Sequence, residues 1–117
     1  MERIPIKVWN RIEMLRQPIA AEASSSAPGF RRWVAIHSNI NTCSIIAHPP
    51  HLYYITDNEF DTALLAKYAE AGDEDFAIVS SAAYYANDEA QLYDILQQLG
   101  VAPTAFNAPW HVEHPLL

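Results

Sequence analysis

The chain holds a single cysteine, three glycines and no long apolar run, and each shortage removes a class of function. A lone thiol, Cys43, cannot close an internal disulfide and suits a reducing compartment, so the cytoplasm is the expected location. Three glycines in 117 residues leave no glycine-rich loop, which excludes the usual phosphate-cradling nucleotide site. No window approaches the roughly 20 apolar residues of a membrane span. The first residues, MERIPIKVWNRIEML, break their apolar character with charge, so no signal peptide is expected. Catalytic fingerprints are missing too. Ser80-Ser81 lacks the flanking glycines of a nucleophile elbow, and Asp57, Glu59 and Asp61 lack the loop and glycine of an EF-hand. The reading therefore leans away from an enzyme, and no cofactor is expected.

What is present is acid, aromatic and aliphatic. The net charge is −7, unevenly spread. Residues 1–32 carry six of the seven basic side chains and three acids, a local charge of +3; the remainder carries Lys67 and eleven acids, a charge of −10. An acidic surface of that strength repels nucleic acid and anionic lipid, so neither is an expected partner. Half the residues are hydrophobic, enough to close one core, and the length fits one domain.

The clearest stretch runs from Cys43 to Gly72. Cys43-Ser44-Ile45-Ile46-Ala47 reads as a strand that Pro49-Pro50 ends, and Leu52-Tyr53-Tyr54-Ile55 resumes strand composition. Thr56 and Glu59 have capping-box spacing, and Phe60, Leu64 and Tyr68 repeat every four residues, which predicts a helix from there to Gly72. Phe30 to His37 reads as a strand with Val34 and Ile36 on one face and Trp33 and Ala35 on the other, joined to 43–47 as a hairpin. Phe76 to Val79 is a strand candidate, and residues 80–86 fit strand or helix. Asn87 is placed to cap a helix whose stripe is Leu92, Ile95, Leu96 and Leu99 and whose stop is Gly100.

Ile4, Ile6 and Val8 alternate with polar residues and predict an N-terminal strand, followed by a short helix from Arg11 to Gln17 that Pro18 ends. The expected organisation is a basic arm over 1–19, a flexible linker over 20–29, a body over 30–100 and a proline-rich tail over 101–117, pinned by Trp110 and Leu116. The expected fold class is α+β: a small, mostly antiparallel sheet of four to five strands, mixed if 52–79 is a parallel crossover, with two main helices packed on one face.

Five histidines raise the question of a metal. If His48-Pro-Pro-His51 is polyproline II, its two rings stand about 9 Å apart along the axis. Two ligands of one zinc need nitrogens within about 4 Å. His111 and His114, one helical turn apart with Glu113 between, are spaced better but sit in five residues between two prolines. No metal is expected, with His111 and His114 as the weak candidates. A Cys43 thiol paired with His37 or His48 has no third member, so a buried thiol is the plainer reading. The aromatic residues Trp33, Tyr54, Tyr85 and Trp110 are the candidate ligand or partner surface, because exposed aromatics beside charge mark interfaces. The leading expectation is a protein that works by binding another protein or itself, as a homodimer formed by exchange of the basic arm. The rivals are a small-ligand domain with an aromatic pocket between sheet and helices, and a histidine-based hydrolase or metalloenzyme.

Overall fold

A computed structural model describes residues 2–38 and 52–117. Among these residues stand three helices, α1 (Ile6–Glu13), α2 (Thr62–Ala69) and α3 (Glu89–Leu99). Four strands, β1 (Ile19–Ala23), β2 (Phe30–Ser38), β3 (Tyr53–Asp61) and β4 (Ile78–Ala86), form one antiparallel sheet in the order β1-β2-β3-β4. The class is α+β, and each strand lies beside its neighbour in sequence. Cys43, His48, His51 and the expected strand 43–47 lie outside the described residues.

The sheet has two unlike faces, and register assigns them. Ile19 pairs with Ile36, Ile36 with Ile55, and Ile55 with Tyr84, so these four share a face. That face carries the main core: Ile19, Ala21, Val34, Ile36, Tyr53, Ile55 and Ala86 pack with Trp9 and Ile12 of α1, Leu92 and Leu96 of α3, and Phe106 of the tail. The opposite face carries a second cluster of Trp33, Phe60 and Ala77, covered by Leu64 and Leu65 of α2 and by Val112 of the tail. The two helices that the sequence marks best are therefore on opposite faces, not together on one. A helix between antiparallel neighbours can fold onto either face, and the apolar pair Trp33–Phe60 draws α2 to its own side.

The sequence expectation for the arm is corrected. Ile4 and Pro5 lead into α1, whose first residues are Ile6-Lys7-Val8, with the Val8 and Trp9 amides donating to the Pro5 carbonyl. Period-two alternation over five residues does not exclude a helix, and Trp9 and Ile12 complete a helical stripe that buries onto β1 and β2. Arg16 has a φ of 54°, and Pro18 follows, so the helix ends early. The expected linker begins instead with β1: Ile19, Ala20 and Ala21 are fully buried. Small residues read as flexible in isolation, yet alanine is the size that fits between a strand neighbour and a helix.

The expected cap at Thr56 is also corrected. Residues 56–61 continue β3, because Asp57 and Glu59 find partners on the sheet that capping cannot match. The helix starts at Thr62, and the Asp61 carboxylate accepts from the Ala63 and Leu64 amides. Residues 80–86 are strand. In α3 the cap is Asp88 rather than Asn87: its carboxylate accepts from the Gln91 amide at 2.8 Å, while the Gln91 side chain accepts from the Asn87 amide. Gly100, at φ 71°, closes the helix in the left-handed region as expected. Phe106, not Trp110 or Leu116, holds the tail; both of those are exposed.

Candidate binding surface

The four aromatic candidates separate. Trp33 is only 1% exposed. Its indole nitrogen donates to the Val112 carbonyl at 2.7 Å, its ring meets Phe60 edge-on at 5.5 Å, and the Arg31 guanidinium covers it at 4.6 Å. Nothing of it is left for a ligand. Tyr54 is half-buried and stacks on His37 with ring centroids 4.3 Å apart. Burial, and then the neighbouring Tyr85, hold the Tyr54 phenol above its ordinary pKa. Tyr85 is 36% exposed and pairs with Tyr54 across the β3–β4 ladder, so the two share a face. Trp110, 63% exposed, lies at the other side of the molecule under the Arg11 guanidinium.

The weak metal pair has unlike surroundings. His111 is exposed beside Trp110, whereas His114 is buried against Trp33 and Phe60, its Nδ1 accepting from the Leu116 amide at 3.1 Å. Burial and then repulsion from His37 press the His114 pKa down to about 4. Burial alone does the same to His37. Among the described residues no three histidine, cysteine or carboxylate side chains come close enough to hold a metal ion.

Two cavities were not legible in the sequence. One, about 470 Å³, opens beside α3 between Glu2, Tyr93, Gln97 and Pro103. There the Tyr93 hydroxyl oxygen already accepts from the Ile4 amide, and Arg3 lies over the ring. The other, about 260 Å³, lies over Ser26, Arg32, Asp57, Glu59 and Ser80 at the polar end of the core face. Its charges satisfy one another. Arg32 grips Asp57 through two nitrogens at 2.7 and 2.9 Å and also donates to the Leu99 carbonyl, while Glu59 accepts from both the amide and the hydroxyl of Ser26.

The outer edge of β4 is different. A sheet edge presents unpaired amides and carbonyls, and proteins usually blunt it with charge, proline, shortness or cover. The β1 edge is treated this way: it has five residues, and the Ala20 amide and carbonyl are both bonded to Asn107 at 3.0 and 2.9 Å. β4 has nine residues, IVSSAAYYA, with no charge and no proline. Among the described residues no strand pairs with its outer side. Val79, Ser80, Ser81, Ala83 and Tyr85 are exposed. A bulge at Glu59/Phe60, which leaves Val79 extra, twists only the first residues and leaves 80–86 in regular register. The sequence did carry this signal, as an uncharged β-rich run, but nothing in it said that the run would be an edge.

No family model matches the chain, and neither a curated protein nor a solved structure matches it significantly. The fold and the surface together define a small α+β protein in which, among the described residues, one sheet edge is bonded to the tail and the other carries no strand.

Proposed function

We propose that this protein is a binding module that takes an extended segment of another protein chain onto β4. The observation that carries this reading is the β4 edge: nine uncharged residues, most of them exposed, with no strand on their outer side among the described residues, while the β1 edge is bridged to Asn107. Main-chain hydrogen bonds supply affinity in such strand addition, and alternate side chains supply selectivity. The Tyr85–Tyr54–His37 row beside the edge offers aromatic surface on one face of an added strand. Trp33 is covered by Phe60, Val112 and His114 and contributes no surface to this contact.

Strand addition is tested by charging the edge. Ser81→Lys and Ala83→Lys change exposed side chains and leave both cores intact. The bound partner, isolated by affinity capture with the wild-type chain and identified by mass spectrometry, is expected to be lost from both variants and kept by Gln97→Lys on the exposed side of α3. Capture unchanged by either edge variant overturns the reading.

A further inference from the structure

Resting on that reading, we infer that the strand added to β4 is β4 of a second copy, running antiparallel, so that two sheets join into one of eight strands. Three features point to a copy. The first is the order of side chains along the edge. β-Branched Ile78-Val79 stands at one end, Tyr84-Tyr85 at the other, and the small residues Ser80 to Ala83 lie between. An antiparallel copy sets each tyrosine pair against the other copy's Ile78–Val79 end, and aromatic–β-branched pairs are among the favourable cross-strand contacts.

The second is symmetry. A two-fold relating antiparallel edge strands runs perpendicular to the sheet, so each face continues into the same face of the other copy. The α1–α3 layers then lie on one side of the joined sheet and the α2–tail layers on the other. Facing residues must have the same parity, and the axis falls on Ala82, which sets Tyr85 against the other copy's Val79 and lets two small side chains meet at the centre without a clash. The third is that the β1 edge is bonded to Asn107, so the assembly stops at two and does not grow into a fibre.

Charge works against this contact. Asp73-Glu74-Asp75 precedes β4 and Asp88-Glu89 follows it. In the antiparallel pair the first group of each copy lies beside the second group of the other. Like charges at both ends weaken association, and salt relieves them. The dimer is therefore expected to tighten as salt rises, opposite to a contact between the basic N-terminal segment and the acidic body.

Sedimentation of the full chain tests the inference. The expected result is a monomer–dimer equilibrium that tightens several-fold between about 50 and 500 mM NaCl, over which the screening length shrinks to a few ångströms, and that Ser81→Lys and Ala83→Lys abolish. In a Cys43→Ser background, Ala82→Cys is expected to form a disulfide-linked dimer. Residues on the axis have Cα atoms about 5 Å apart, within disulfide reach. Ser80→Cys, two residues from the axis, is separated by about 14 Å and stays unlinked. A chain that is monomeric at all concentrations and salts overturns the second copy but leaves strand addition standing, to be decided by the capture experiment. A dimer that survives both lysines, or that salt weakens, places the contact elsewhere and overturns the inference.

Discussion

His114 shows what a single residue does to this protein's response to acid. Its ring is packed between Trp33 and Phe60, and His37 stands near enough to repel it. Both rings have a folded pKa of about 4 against an ordinary value of 6.5. Between those values the unfolded chain binds more protons than the folded one, so stability falls as pH drops from about 6.5 toward 4 and the histidine contribution levels off below that. Thermal melts across this range are expected to show the loss in the wild type and a shallower slope in His114→Gln, which removes one titrating ring. Equal slopes would mean that His114 is not buried in this way. Glu22, whose carboxylate is held below its ordinary range chiefly by its bond to Arg31, adds a similar loss at lower pH. The sequence offered His114 only as a metal candidate, because a histidine between prolines says nothing of the indole that will lie against it.

At the scale of the element, α3 is the part that local rules wrote in full. Asp88 caps it, Leu92 and Leu96 are fully buried, and Gly100 ends it. Leu96→Ala is expected to cost about 2–5 kcal/mol, the range for truncating a buried leucine. Asp88→Ala should cost about 1 kcal/mol for the lost cap. Asp94→Ala, on the exposed side, should be near neutral. Urea melts that rank these three differently would break the account. The stripe, the stop and the alternation of β2 were legible in the sequence because each runs long enough to separate a period of 3.6 from a period of two. The start of α2 was not. The capping-box spacing Thr56–Glu59 is real, but Glu59 is buried and bonded to Ser26, and Asp57 is bonded to Arg32, so partners 25 and 33 residues away took both side chains.

For the molecule as a whole, the basic segment and the acidic body meet within one chain. α1 lays Trp9 and Ile12 on β1 and β2, the Tyr53 hydroxyl donates to Glu13 at 2.8 Å, and Arg3 lies 3.6 Å from Glu89. The segment is thus a wall of the main core. Deleting residues 1–14 would uncover Ile19, Val34 and Ile36, and is expected to give a chain that binds a hydrophobic dye and loses its cooperative melt. A truncated chain that melts as sharply as the full one would show that α1 is dispensable.

By itself the sequence determined the α+β class, the position of α3 and the faces of β2. Each depends on side chains close in sequence and on a repeat long enough to be unambiguous. Only the tertiary structure decided that Ile6–Val8 is helical, that 19–23 is a buried strand, that α2 and α3 lie on opposite faces and that, among the described residues, no strand pairs with the outer side of β4. A short segment satisfies two periods equally well, and the burial offered by distant neighbours selects between them. Whether a strand is an edge is a property of its neighbours in the sheet, and no residue within the strand encodes it.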